Sequence, residues 1–147
     1  MNLNIYEKLY LGIYSSLSRT NKSIPEWSTI TSISIFLFFN ILTILKLINF
    51  NFKEYEKNKF SFGILLIITL NWLYFLKGNR IIKKLRQVKY ELKIYEKIII
   101  GIYCYGTITL CFLVINVGMK YTSITIGSLL VMQFLVYTLG GKPIKLE

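Results

Sequence analysis

Five cations at helical spacing, Lys83, Arg86, Lys89, Lys93 and Lys97, are the residues of this sequence best equipped to do chemistry. Ammonium and guanidinium groups repeated every three or four residues make one positive face. Such a face draws anions: lipid headgroups, a nucleotide, or the phosphates of an oligonucleotide. That chemistry is binding, not bond-making. Lys89, Lys93 and Lys97 stand at i and i+4, where like charges cost a helix some stability, and an anion laid on them relieves the cost. Tyr90, Tyr95 and Tyr103 follow in the same stretch and offer ring faces on which bases stack. On the other side of the segment, Ile81, Leu85, Val88, Leu92 and Tyr95 are spaced four, three, four and three apart. This is the apolar stripe of an amphipathic helix over 77–97, with coiled-coil-like spacing. It suits three uses: lying on anionic lipid, pairing with copies of itself, or docking a phosphate-rich ligand.

A second set of polar groups stands inside apolar stretches: Asn40, Asn71, Thr107, Asn116, Thr125 and Gln133. In lipid, amides and hydroxyls seek partners. They are expected either to bond between helices, at about 0.6 kcal/mol each, or to line a narrow watery path. Gly101, Cys104, Thr107 and Cys111 make a small-residue face that permits close helix approach. The two cysteines share that face but are separated by a rise of about 10 Å, too far for a disulfide within the helix.

What is missing narrows the function further. The chain has no His, the commonest metal ligand, so no metal or cofactor is expected. No carboxylate falls deep in an apolar stretch, which disfavours proton-coupled transport. Neither a Ser–His pair nor an Asp pair is present for intramembrane proteolysis, and no glycine-rich phosphate loop appears. The chain reads as a non-enzyme.

The elements that position these groups follow from composition. Of 147 residues, 54% are hydrophobic and only 17% are charged, with a mean hydropathy of +0.51. Long apolar stretches alternate with short charged ones, the pattern of a multi-pass membrane protein. The fold expected is all-α: an integral membrane four-helix bundle with an N-terminal amphipathic helix and a basic amphipathic cytoplasmic connector helix. Residues 1–22 form the first amphipathic segment, with Leu3, Tyr6, Tyr10, Ile13 and Leu17 on one face, suited to the membrane interface or to a partner helix. A hairpin over 23–76 holds spans 25–50 and 60–76. It opens with Ser23 as N-cap, Pro25 in the first turn and Glu26 three residues on. The connector 77–97 leads to a second hairpin, 98–139, with spans 98–117 and 122–139 joined by a tight turn at Gly118. The tail 140–147 begins with Gly140-Gly141 as a helix stop. The first apolar stretch is too long for a signal peptide and lacks a small-residue cleavage pattern.

Charge sets the expected orientation. Thirteen of the 18 Lys and Arg fall in 1–22, 77–97 and the tail. Lys53, Lys57, Lys59 and Lys120 fall in the opposite loops, and Lys46 lies near the outer end of the first span. The asymmetry places both termini in the cytoplasm. A short repeat also appears: Ile5-Tyr6-Glu7-Lys8 followed by Gly12-Ile13-Tyr14 matches Ile94-Tyr95-Glu96-Lys97 followed by Gly101-Ile102-Tyr103. In a chain rich in Ile, Tyr and Lys it reads as coincidence or as a duplicated two-helix unit.

Four spans, inside termini and the Lys83/Arg86/Lys89/Lys93/Lys97 face together resemble the small four-span membrane effectors of bacterial anti-phage defence systems, the Hailong type among them. The resemblance covers the layout of the whole chain and carries over no site residue. It implies a membrane channel controlled by a nucleic-acid signal that a nucleotidyltransferase makes, with growth arrest by membrane depolarisation. The function expected is therefore an oligomeric channel or pore-forming effector of the bacterial inner membrane. Several copies would enclose the conduit, because four short helices leave little room inside one chain. A nucleotide or oligonucleotide on the basic face would set its state, with the bilayer and its anionic lipids as further partners. A non-conducting membrane scaffold or immunity-type partner fits the even spread of amides equally well. A phage holin also combines few spans with basic segments.

Overall fold

The structure is a computed structural model of the chain. It describes residues 3–48, 57–76, 82–85, 91–116 and 118–143, with side chains of the third helix from residue 62 onward. Every element among these residues is helical: α1 (Ile5–Leu17), α2 (Pro25–Leu47), α3 (Lys57–Leu76), α4 (Ile94–Val114) and α5 (Met119–Leu139), with one more helical turn at 82–85. Three of them, α2, α4 and α5, are long and apolar enough to cross a membrane. The side chains described for α3, Phe62–Leu76, form a shorter apolar run. A straight crossing takes about 20 apolar residues.

The central helix is α2, which packs against α1, α3 and α4, while α5 packs chiefly on α4. Antiparallel pairing of α2 and α3 brings Trp27 onto Trp72, with ring centroids 6.2 Å apart, and Ser34 to Asn71. α2 and α4 run parallel, matching Asn40 to Tyr103. The starts of α2 and α4 and the ends of α3 and α5 therefore lie at one end of the molecule, hereafter the basic end.

Contacts of α1 are all at that end. Its apolar face meets α2 and α4, so that Leu9, Tyr10, Ile13 and Tyr14 are buried together with Ile30, Ile33 and Phe75. Phe75 is fully covered and stacks against Tyr6 at 5.3 Å and Tyr10 at 4.6 Å. α1 approaches α4 closely at Gly12, where an added Cβ would come within 2.6 Å of the Ile100 Cδ1 atom and the Ile100 side chain would have to move.

Local chemistry fixes the helix ends, not always as the sequence suggested. Ile24, not Ser23, is the N-cap of α2. Pro25 fills the first helical position and holds Ile24 out of the helical region. The Asn21 side chain braces this turn, accepting from the Ile24 N–H at 3.3 Å and donating to Ser28. α4 starts at Ile94, four residues earlier than expected, because Glu96 caps it, and residues 91–93 are not helical. One helix running unbroken through 77–97 is therefore not formed, because the chain is non-helical at 91–93, just ahead of Tyr95. Leu85 and Leu92 are nonetheless buried, while Tyr95 is exposed. α4 ends at Val114, and Asn116 just beyond it adopts φ +68°, a left-handed conformation that Asn tolerates and that stops a helix.

The exterior of the long helices is oily. Leu65, Leu66, Leu70, Ile99, Ile102 and Val131 are all exposed, far more apolar surface than a water-soluble molecule of this size leaves uncovered. The aromatic stack is the interior counterpart. Phe75→Ala should lower stability by roughly 3–5 kcal/mol, read as a fall in the thermal midpoint of the detergent-solubilised protein. Leu66→Ala on the exposed face should leave the midpoint nearly unchanged.

Candidate functional site

Two buried carboxylates organise the basic end. Glu7 is 2% exposed and Glu96 5%. Each sits at the third position of its helix and reaches back to the chain entering it. The Asn4 N–H donates to Glu7 Oε2 at 3.0 Å, and the Lys93 N–H donates to Glu96 Oε2 at 2.9 Å. At α1 the cap is reciprocal, since the Glu7 N–H donates to Asn4 Oδ1 at 2.7 Å. Negative charge suits a helix N-terminus, where unpaired N–H groups and the helix dipole both favour it.

The second oxygen of each carboxylate takes a lysine from a distant segment. Lys84 binds Glu7 Oε1, and Lys8 binds Glu96 Oε1 at 2.7 Å. A buried charge left alone is costly, and a hydrogen-bonded counter-ion offsets most of that cost. The pairs also determine position: Lys84 ties the 82–85 turn to α1, and Lys8 ties α1 to the start of α4. Neither pair includes a residue of the expected basic face except through the backbone of Lys93.

A ladder of neutral polar contacts continues inward. The Tyr6 hydroxyl donates to Asn71 Oδ1, Asn71 Nδ2 donates to Ser34 Oγ at 3.0 Å, and Ser34 donates to the Ile30 carbonyl at 2.8 Å. Burial pushes the Tyr6 phenol up to about 12, which keeps it a donor. Deeper still, Asn40 Nδ2 donates to the Tyr103 hydroxyl at 2.7 Å, and Thr107 donates to Asn40 Oδ1 at 3.4 Å. Across the α4–α5 contact, the Tyr105 hydroxyl donates to Gln133 Oε1.

The structure thus brings Asn40 and Thr107 together, joins Asn71 to Tyr6 and Ser34, and joins Gln133 to Tyr105. It does not bring in the other two polar candidates. Thr125 donates to the Tyr121 carbonyl of its own helix at 2.9 Å. Asn116 lies outside α4, in the turn it creates. Tyr103, expected to stack bases, is committed to Asn40 between helices. Of the basic face, Lys83, Lys93 and Lys97 are exposed. Arg86 and Lys89 lie outside the described residues, as do Tyr90, Ile81 and Val88. Lys93 lies 5.9 Å from the Tyr95 ring, and Lys97 and Gln133 both line a cavity between α1, α2, α4 and α5.

Sequence reasoning missed Glu7, Glu96, Lys8 and Lys84. The signal was present in the Ile-Tyr-Glu-Lys repeat. Its Ile, exposed in both copies, opens each helix, its Glu caps it, and Lys8 of the first copy holds Glu96 of the second.

The Glu7–Lys84 pair is testable by a double-mutant cycle. Glu7→Gln keeps an oxygen for the Asn4 N–H and removes the charge. It should cost about 1.5–3 kcal/mol, toward the lower end because Lys84 is partly solvated. Lys84→Gln should cost a similar amount, and the double variant less than the two together, with thermal unfolding in detergent as the measurement. No known protein family, curated protein or solved structure matches the chain, and the functional reading rests on these residues.

Proposed function

We propose that this chain is an oligomeric membrane channel or pore-forming effector, with a polyanionic ligand, a nucleotide or an oligonucleotide, controlling it from its basic end. In this reading α3 crosses with α2, α4 and α5, both termini lie in the cytoplasm of a bacterium, and opening depolarises the inner membrane in anti-phage defence.

The observation that carries it is the state of α5. Thr122 is its one buried residue, and Ser128, Met132, Phe134 and Leu135 are exposed. A helix that packs chiefly on one neighbour among the described residues has faces left for other copies. Gly127 and Ser128, both exposed, are small enough to let such a copy come close. The basic end supplies a means of control. Lys84 holds Glu7 there, and a polyanion on the neighbouring lysines competes for the same ammonium, which would loosen α1 from the connector.

A second reading has its own support. Asn40, Asn71 and Gln133 all find partners within one chain, as they would in a non-conducting scaffold that holds other proteins at the membrane.

Planar-bilayer recording of the purified protein separates the two. A channel should give a conductance that a short oligodeoxynucleotide alters from the cytoplasmic side, with weaker oligonucleotide binding at higher salt. Lys89→Glu combined with Lys93→Glu should abolish that binding and leave membrane insertion intact. A strict monomer in nanodiscs, silent under either polarity, overturns the proposal in favour of the scaffold.

A further inference from the structure

The same loose seating of α5 leaves a half-open cavity of about 280 Å³ between α1, α2, α4 and α5. Its wall on α4 runs from Lys97 at the basic end through Ile100 and Cys104 to Ile108, a depth of about 16 Å at helical rise. Beyond Lys97 the wall is mainly apolar, with Phe36 and Leu129 facing it from α2 and α5, and a few hydroxyls from Ser15, Ser16 and Ser32. Among the described residues no carboxylate lines it. A second cation stands at its edge: the Arg19 guanidinium lies 4.5 Å from the ring of Tyr137, itself a wall residue. The Arg19 Nε is buried and has no hydrogen-bond acceptor among the described residues.

We propose that this cavity is a site for an anionic phospholipid of the surrounding bilayer, one acyl chain lying between α4 and α5 with the phosphate against Lys97 and Arg19. The chemistry selects this occupant over others. A soluble anion would satisfy the cations but leave the oily depth unfilled. A zwitterionic lipid would fill the depth but bring its own cation to a rim that is already positive. An anionic lipid matches both, and it reaches the opening sideways, from between two helices apolar enough to span a membrane. The inference rests on the membrane placement of α4 and α5 and not on conduction, so a protein that proves silent in bilayer recordings leaves it standing.

The test uses the full chain, delipidated in detergent, with phosphatidylglycerol and phosphatidylcholine of identical acyl chains. Native mass spectrometry counts retained lipid, and thermal unfolding reads stabilisation. Phosphatidylglycerol should be retained and should raise the midpoint, and phosphatidylcholine should do so much less. Lys97→Gln should erase the difference between the two lipids without changing the midpoint of the lipid-free protein. Gly101 lines the cavity, and a Cβ added there meets nothing within 4 Å, so Gly101→Leu grows into the space. It should cut retention of phosphatidylglycerol by about tenfold, equivalent to ~1.4 kcal/mol. Gly106→Leu also projects into open space but outside the cavity, and it should retain lipid as the parent does. Cys104→Phe fills the same wall if Gly101→Leu does not fold. Equal retention of the two lipids by the parent chain overturns the proposal, and so does full retention by the cavity-filled variants.

Discussion

A carboxylate that must stay charged out of water needs a cation beside it, and two such carboxylates shape the basic end of this molecule. Glu7 and Glu96 divide their oxygens in the same way, one to the helix start and one to a lysine. The division is economical because each partner answers a different need. The backbone N–H groups would otherwise be unpaired at a helix end, and the lysine neutralises the charge that burial penalises. With a net charge of +11, the chain has ammonium groups in excess, so the scarce carboxylates decide which lysines are anchored. Lys8 and Lys84 are anchored, whereas Lys83, Lys93 and Lys97 stay exposed.

Away from that end, amides take over the same role without charge. The Tyr6–Asn71–Ser34 chain and the Asn40–Tyr103–Thr107 cluster both involve α2, the most extensively packed helix among the described residues. These bonds give direction to contacts that hydrophobic burial alone would leave unspecified, since lipid tails are as apolar as the helix surfaces. α5 has fewer of them. Besides Gln133, its hydroxyls at Thr125, Ser128 and Thr138 bond to its own carbonyls, which satisfies them but attaches the helix to nothing. The cavity and the exposed faces of α5 both follow from that difference.

The helices long enough to span were legible in the sequence, because runs such as Ile33 to Phe39 leave no other reading. For Asn40, Asn71 and Gln133 the sequence left two uses open, a bond between helices or a watery path, and their hydrogen bonds join neighbouring helices. What could not be read was which group meets which. The link from Glu7 to Lys84 crosses 77 residues, and no periodicity reports a contact of that range. Ser23 looked like a cap by type, but Pro25 fixes the geometry one residue later. Asn116 looked like a span amide by position, yet its tolerance of left-handed backbone made it the stop. The basic face was drawn as one helix because charge spacing ignores the capping by Glu96, which starts α4 anew.

The sequence separation of the ion pairs bears on how the molecule is made. A nascent chain leaves the ribosome N-terminus first, so Glu7 and Lys8 emerge long before their counter-ions, 77 and 88 residues downstream. Until α4 is made, α1 lacks one of the two helices that its apolar face meets. Its docking on α4 follows the synthesis of the start of α4. α1 is thus made before the helices it packs on and takes its place only after them.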